Sequence, residues 1–148
     1  MKIVLGSDHA GFDYKIKLAK YLEDRGYTTT TVGAPSEEPY DYPDAADEVA
    51  QKILLEGYEK GVLICGSGVG VCIRANRYKK IIASNVQTPE LAQLSKEHDH
   101  INVLCLGQRL MSLETAIKIL EAFLNTTEDN HERHVRRVGK LDQPLITE

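Results

Sequence analysis

The chain has 148 residues, of which 42% are hydrophobic and 27% charged, and its formal net charge at pH 7 is −4. This length suits one domain over residues 1–148, and the acidic balance lacks the basic surplus of a nucleic-acid-binding protein. No apolar stretch approaches a membrane span, and the first six residues predict a strand rather than a signal peptide. We therefore expect a cytoplasmic protein without a nucleic-acid or membrane partner.

Strand and helix patterns alternate along the chain. Short apolar runs predict strands over 2–6, 28–32, 61–64, 81–85 and 102–106. Helical spacing of apolar residues predicts helices over 12–24, 42–55, 69–78, 89–97 and 113–124, with a polar helix from about 130 to 141. Such alternation implies right-handed crossovers. The predicted fold is α/β, a doubly wound five-stranded parallel sheet with helices on both faces and a C-terminal helix.

The most informative segment is the third strand and the glycine-rich loop that follows it, residues 61–70, Gly-Val-Leu-Ile-Cys-Gly-Ser-Gly-Val-Gly. Cys65 ends the strand, at the edge of the sheet where α/β proteins bind ligands, and the loop amides can hold an anion or a developing oxyanion. A buried structural cysteine is the alternative. The loop has neither the lysine of a phosphate-binding loop nor dinucleotide-binding spacing, so neither nucleotide motif is present. From these residues alone a reactive thiol and a buried structural cysteine both remain open. Cys72 and Cys105 form no metal-binding or disulfide pattern with it, and all three are expected to be reduced.

Other polar residues follow the first and fifth predicted strands. Asp8 and His9 follow the first, where Asp8 either caps the next helix or meets a ligand. Arg109 follows the fifth. His98 and His100 are expected between the fourth helix and the fifth strand, and their spacing differs from the i, i+4 pair of a helical zinc site. An acid–base histidine is therefore favoured over a metal ligand.

The C-terminal segment contains Arg133 and Arg137, one helical turn apart. Paired guanidinium groups can clamp a phosphate, because each donates two aligned hydrogen bonds, although a solvated basic face has the same pattern. His131 and His134 are spaced for a metal, but the segment offers no strong third ligand, and we predict no metal.

Several short motifs together carry a family resemblance. They are Asp-His-Ala-Gly at 8–11, Asp-Tyr-Pro at 41–43, Cys-Gly-Ser-Gly-Val-Gly at 65–70, Leu-Ser-Lys-Glu-His at 94–98, Gly-Gln-Arg at 107–109, Arg-His at 133–134 and Arg-Val at 137–138. In their order and spacing the chain resembles type B ribose-5-phosphate isomerase over nearly its whole length. That family includes allose-6-phosphate and galactose-6-phosphate isomerases. The resemblance implies a Rossmann-like fold, no metal or other cofactor, and a homodimer or dimer of dimers whose active sites are shared between subunits.

The resemblance also implies roles for individual residues. Cys65 would be the base that moves a proton between C2 and C1 of the sugar phosphate, and His98 would assist opening of the furanose ring. Loop amides and the Ser67 hydroxyl would hold the enediolate oxygen, and three arginines the charged end of the substrate. The expected substrate-binding residues are Asp8, His9, Tyr42, Gly66, Ser67, Gly68, Val69, Gly70, Asp99, Arg109, Arg133 and Arg137.

One departure from the family pattern concerns the substrate. Asp99 stands where the family usually has asparagine, so an acceptor replaces a donor, and pairing with Arg74 or Arg77 is one way to accommodate it. The resemblance implies interconversion of ribose 5-phosphate and ribulose 5-phosphate through a cis-enediol. A hexose-6-phosphate isomerase and a non-catalytic sugar-phosphate-binding module are the alternatives. The presence of both Cys65 and His98 favours an enzyme, since a binding module needs neither.

Overall fold

The centre of the molecule is a sheet of five parallel strands. A computed structural model describes residues 1–146. The strands pair in the order β2-β1-β3-β5-β4, so the short strand β4 forms one edge, beyond β5. Their bounds are β1 Lys2–Ser7, β2 Thr28–Gly33, β3 Lys60–Cys65, β4 Ala83–Asn85 and β5 Val103–Gly107.

Helices cover both faces of this sheet. They are α1 Phe12–Asp24, α2 Tyr42–Glu56, α3 Val69–Ala75, α4 Pro89–Asp99, α5 Leu113–Asn125 and α6 Glu132–Lys140, with short 3₁₀ turns at His9–Gly11 and Gln108–Leu110. Buried side chains of α1, α4 and α5 pack on one face, and those of α2 and α3 pack on the other. The predicted doubly wound α/β fold is confirmed. No helix within residues 1–146 is long and apolar enough to cross a membrane.

Local chemistry explains where the helices begin and end. Thr88 and Ser112 cap α4 and α5 by accepting hydrogen bonds from backbone N–H groups three residues on, at 3.1 Å in both cases. Gly57 ends α2 in the left-handed conformation, at φ 76°. His100 ends α4 in the same conformation, at φ 54°, and its N–H donates to Ser95.

Three predicted boundaries are wrong by two or three residues. Residues 81–82 precede β4 instead of opening it, because the N–H of Ile82 donates to the side chain of Asn102 at 2.8 Å and not to a strand. Helix α3 ends at Ala75, and residues 76–78 form tighter turns. Helix α4 continues through Asp99, so His98 and Asp99 lie in its last turn and not in a connecting loop.

Candidate active site

A cavity of about 540 Å³ opens at the carboxyl edge of the sheet, between the loops that follow β1 and β3. The chain leaves these adjacent strands toward opposite faces, which is where open α/β sheets bind ligands. The lining combines a thiol, a glycine loop, two polar side chains after β1 and an arginine after β5. The lining residues are Asp8, His9, Ala10, Tyr42, Cys65, Gly66, Ser67, Val69, Gly70, Ile73, Arg109 and Leu110.

Cys65 is the last residue of β3, and 5% of its surface is exposed. Its Sγ accepts a hydrogen bond from the backbone N–H of Gly68 at 3.1 Å. Gly68 has φ +80°, and a Cβ at this position would lie 2.3 Å from the Asn85 side-chain oxygen. The glycine therefore lets the chain turn sharply enough to aim an amide at the sulfur.

The rest of the glycine loop is fixed from neighbouring strands. Asn85, at the end of β4, donates to the carbonyl of Ser67 at 3.3 Å. Gly107, at the end of β5, packs so close that a Cβ there would lie 2.6 Å from the Ser67 carbonyl group. The Ser67 hydroxyl accepts the N–H of Val69 at 3.2 Å. The loop amides are therefore held in place before any ligand arrives.

Two larger side chains form walls beside small residues of the loop. The Tyr42 ring lies over Gly70, where a Cβ would approach the ring to 2.5 Å. The Arg109 guanidinium lies against Gly66 in the same way, at 2.9 Å, and its backbone N–H donates to the Gly66 carbonyl at 3.1 Å. A side chain at Gly70 or Gly66 would therefore have to displace the Tyr42 ring or the Arg109 guanidinium.

Asp8 and His9 form the side of the cavity that follows β1. The Asp8 carboxylate accepts the N–H of Gly11 at 3.1 Å, which confirms its predicted capping role, although the cap belongs to the 3₁₀ turn before α1. His9 Nδ1 contacts the backbone of Tyr40. Both side chains also line the cavity, so capping and ligand contact are compatible.

The remaining predicted site residues lie elsewhere. His98 and Asp99 are exposed at the end of α4, and Arg133 and Arg137 are exposed on α6. Helix α4 runs from the carboxyl end of β4 back to the start of β5. Its last turn therefore lies at the amino ends of the strands, whereas Cys65 lies at their carboxyl ends. Eleven helical residues span about 16 Å. Gly68 is buried behind the loop, where its amide serves Cys65.

His98 is one of a group of histidines on that opposite edge. Its ring stacks on the buried His134 ring, with centroids 4.6 Å apart and planes at 4°. The Asp129 N–H donates to the carbonyl of Glu97 at 2.9 Å. The Asp129 carbonyl contacts His100 Nε2 at 2.8 Å. Burial, with the nearby Arg133 charge, lowers the pKa of His134. This packing fixes the turn that carries His98.

Asp99 lines a second cavity, of about 390 Å³, on the same edge of the sheet. Pairing with Arg74 does not occur, because Arg74 forms a bidentate ion pair with Asp47 at 2.7 and 3.2 Å. None of the ion pairs within residues 1–146 includes Asp99 or Arg77. Asp99 is thus an unpaired carboxylate within the described part of the chain.

The arrangement of the cysteines and histidines bears on whether the chain could bind a metal ion. Across the part of the chain that the structure describes, no group of three or more His, Cys, Asp or Glu side chains is placed to hold a metal ion. His131, one of the two histidines with metal-like spacing, instead bonds to Asp129. Cys65, Cys72 and Cys105 are free thiols.

Sequence reasoning missed several residues that shape the site. Asn85 orients the glycine loop, His134 supports His98, and Ile73 and Leu110 add apolar rim to the cavity. Asn85 ends a predicted strand, and the carboxyl ends of strands are where open α/β sheets bind ligands. Its position could therefore have identified it as a candidate site residue. The stacking of His134 on His98 joins residues 36 positions apart and has no local signature.

Comparison with known proteins agrees with this geometry. A family model described as Ribose/Galactose Isomerase matches residues 3–141. The probable ribose-5-phosphate isomerase B of Mycoplasma pneumoniae is 40% identical over 140 residues, which cover 94% of this chain and 91% of that protein. A solved ribose 5-phosphate isomerase from Thermotoga maritima is 42% identical, with a TM-score of 0.93 and coverage of 97% of this chain and 98% of that one.

A further solved structure carries a ligand. Ribose-5-phosphate isomerase B from Mycoplasma genitalium, with bound ribulose 5-phosphate, is 36% identical with a TM-score of 0.89, and the match covers 95% of this chain and 93% of that one. The resemblance drawn from the motifs is confirmed. The chain belongs to the ribose/galactose isomerase family and is an isomerase of the intramolecular oxidoreductase class.

Proposed function

We propose that this isomerase interconverts ribose 5-phosphate and ribulose 5-phosphate through a cis-enediol, with Cys65 as the base. The observation that carries the proposal is the thiol of Cys65 in a cavity beside preorganised amides, bonded to the Gly68 N–H at 3.1 Å. The Mycoplasma genitalium relative with bound ribulose 5-phosphate supports the choice of sugar. A cytoplasmic location suits a reaction that needs a reduced thiol.

The proposed reaction moves one proton between adjacent carbons. The Cys65 thiolate takes the proton from C2 of the open-chain aldose, a C1–C2 double bond forms, and the aldehyde oxygen becomes an enediolate oxygen. The O2 proton passes to O1, the thiol returns its proton to C1, and the C2 ketone forms. Loop amides within residues 66–70, other than the Gly68 amide that donates to Cys65, stabilise the developing negative charge, and one such donor contributes about 3 kcal/mol to the transition state.

A second copy of the chain is proposed to complete the site. Cys65 and His98 lie at opposite edges of one sheet, so one chain cannot place both on one sugar. Apolar side chains at the rim of the Cys65 cavity are about half exposed: Val69 by 48%, Ile73 by 52% and Leu110 by 63%. Such a patch is typical of an interface. We infer that the partner covers this rim and supplies His98, Asp99, Arg133 and Arg137.

Turnover of two substrates tests the proposal. The purified protein should convert ribose 5-phosphate with a kcat/KM at least about ten-fold above that for allose 6-phosphate, assayed side by side. The opposite preference would favour a hexose-6-phosphate isomerase. Tight binding of both sugars without turnover would favour a non-catalytic binding module.

Replacing Arg133 or Arg137 should weaken binding of the phosphorylated substrate. Each guanidinium would donate to the phosphate, and losing a hydrogen bond to a charged group costs about 1.5 to 3 kcal/mol, or roughly ten- to hundred-fold in KM. Arg133→Ala and Arg137→Ala should show this rise together with weaker inhibition by inorganic phosphate.

Arg136 provides the matched control on the same helix, because its side chain pairs with Glu132. Arg136→Ala should leave KM and phosphate inhibition unchanged. Equal effects of all three substitutions would mean that the helix contributes only general positive charge.

Replacing Asp99 should improve the reaction. An ionised carboxylate cannot donate to a sugar hydroxyl and repels a phosphate and an enediolate, whereas asparagine donates. Asp99→Asn should raise kcat/KM on ribose 5-phosphate about five-fold, the worth of one hydrogen bond. Asp142→Asn, at the other acidic residue of the same cavity, should change it little. A loss on every phosphosugar with Asp99→Asn would show that the carboxylate accepts a bond from the substrate.

A further inference from the structure

The loop between β2 and α2, residues 34–41, is held by buried polar contacts that the proposed chemistry does not use. Lys15 of α1 is 2% exposed, and its Nζ donates to the carbonyls of Val32, at 3.0 Å, and Ala34. Burial lowers the pKa of Lys15 to about 8, and the charge of Glu48 opposes this shift. A buried amine needs acceptors for its protons, so these bonds tie the start of the loop to α1.

Glu48 of α2 joins the two ends of the same loop. One carboxylate oxygen accepts the N–H of Gly33 at 2.6 Å, and the other accepts the hydroxyl of Tyr40 at 2.9 Å. Burial and the bond to Glu48 raise the pKa of Tyr40 to about 12, so its hydroxyl remains a donor. The N–H of Ala34 donates to the carbonyl of Ser7 at 2.8 Å, two residues before His9. The loop is therefore fixed relative to the side of the cavity that follows β1.

The far end of the loop contacts His9 directly. The backbone N–H of Tyr40 donates to His9 Nδ1 at 3.1 Å, while the Tyr40 carbonyl is 3.3 Å from the same nitrogen. A backbone amide can only donate, so Nδ1 must present its lone pair to it. A proton on Nδ1 would point toward the Tyr40 amide hydrogen and be repelled by it. Its only acceptor there would be the Tyr40 carbonyl, at the longer distance of 3.3 Å. From this hydrogen-bond network, neutral His9 carries its proton on Nε2.

We propose that Tyr40 and Glu48 are positioning residues for substrate binding: they hold the backbone amide that keeps His9 in the Nε2–H form. His9 lines the Cys65 cavity, and Nε2 is then its free donor toward a ligand there. Phosphate and sugar oxygens accept hydrogen bonds, whereas the other tautomer would present a lone pair to them. The proposal rests on the proposed function only in taking the ligand to be a sugar phosphate.

Nitrogen NMR of the histidine rings tests the tautomer without any enzyme assay. With ¹⁵N-labelled histidine at a pH of about 7.5, where an ordinary imidazole is mostly neutral, the parent should show His9 protonated on Nε2 and bare on Nδ1. A His9→Asn spectrum assigns its signals among the five histidines. Tyr40→Phe, which removes only the hydroxyl held by Glu48, should give a mixture of tautomers, as should Glu48→Gln.

Tyr58→Phe is the matched control, because it also removes one hydrogen bond of a tyrosine hydroxyl. The Tyr58 hydroxyl bonds to the Thr30 hydroxyl of β2 at 2.7 Å. Tyr58→Phe should leave the His9 signals unchanged. In kinetics, Tyr40→Phe and Glu48→Gln should raise KM for ribose 5-phosphate about five-fold while kcat stays within about two-fold, and Tyr58→Phe should change neither.

Two results would overturn the positioning role. One is a parent protein with His9 protonated on Nδ1. The other is an Nε2–H signal that is unaltered in both the Tyr40→Phe and Glu48→Gln proteins. Failure of the proposed function is a separate outcome: the tautomer results would hold as expected while the parent failed to turn over ribose 5-phosphate. In that case weaker binding of inorganic phosphate by Tyr40→Phe, measured by calorimetry, still supports the positioning role, and unchanged binding contradicts it.

Discussion

Cys65→Ala is expected to lower kcat on ribose 5-phosphate at least a hundred-fold, with little change in the affinity for inorganic phosphate. The proposed thiolate acts as the proton-transferring base, and a positioned base contributes roughly 10² to 10⁴ to the rate. Rate measurements under saturating substrate, together with phosphate binding by calorimetry, separate the two effects. A variant that kept more than about a tenth of the parent kcat would show that another group removes the proton.

Two kinds of control protect this result from a folding artefact. Cys65→Ser keeps an acceptor for the Gly68 N–H but is a far weaker base, and it should be as inactive as the alanine variant. Cys105 is fully buried and Cys72 is half-buried in the same core, so alanine at either position should lower the free energy of unfolding by about 1 kcal/mol and leave kcat nearly unchanged. Equal kinetic losses at all three cysteines would indicate damage to the core.

Much of the fold was predictable because its signals are local. Helix α1 was predicted over its observed bounds, 12–24, since a glycine precedes it and a turn follows. The buried strands β3 and β5 are short apolar runs, and the glycines after β3 indicate a loop. The Cys65 cavity then follows from topology, because adjacent parallel strands bring their following loops to one edge.

The errors arose where tertiary contacts outweigh local pattern. The apolar residues 81–82 resemble a strand, but Ile82 satisfies its N–H with the Asn102 side chain. His100 ends α4 without the glycine that usually marks such a stop, so the helical position of His98 was missed.

The arrangement of the functional residues was the least predictable feature. Sequence order gives no distance between Cys65 and His98, and the resemblance to the family implied only that subunits share a site. In the fold, α4 carries His98 away from the carboxyl ends of the strands, where Cys65 lies, and this separation supports the proposal that a partner supplies His98. The contact between His9 and Tyr40 likewise joins residues 31 positions apart. Such long-range juxtapositions have no periodic or compositional signature.

Mixed dimers should recover activity that neither parent variant has. Cys65→Ala and His98→Asn chains, co-expressed with different affinity tags and purified over both, form dimers with one chain of each kind. If the partner supplies His98, one site combines intact Cys65 with intact His98, and the other has lost both. The heterodimer should therefore show about half the activity of the parent dimer on ribose 5-phosphate, whereas each variant alone is far less active. A Cys65→Ala/Cys65→Ser heterodimer, with both cavities defective, should recover nothing. If the mixed dimer is as inactive as this control, the partner does not complete the site. A His98→Asn homodimer with near-parent activity would instead show that His98 acts outside the isomerisation of this sugar.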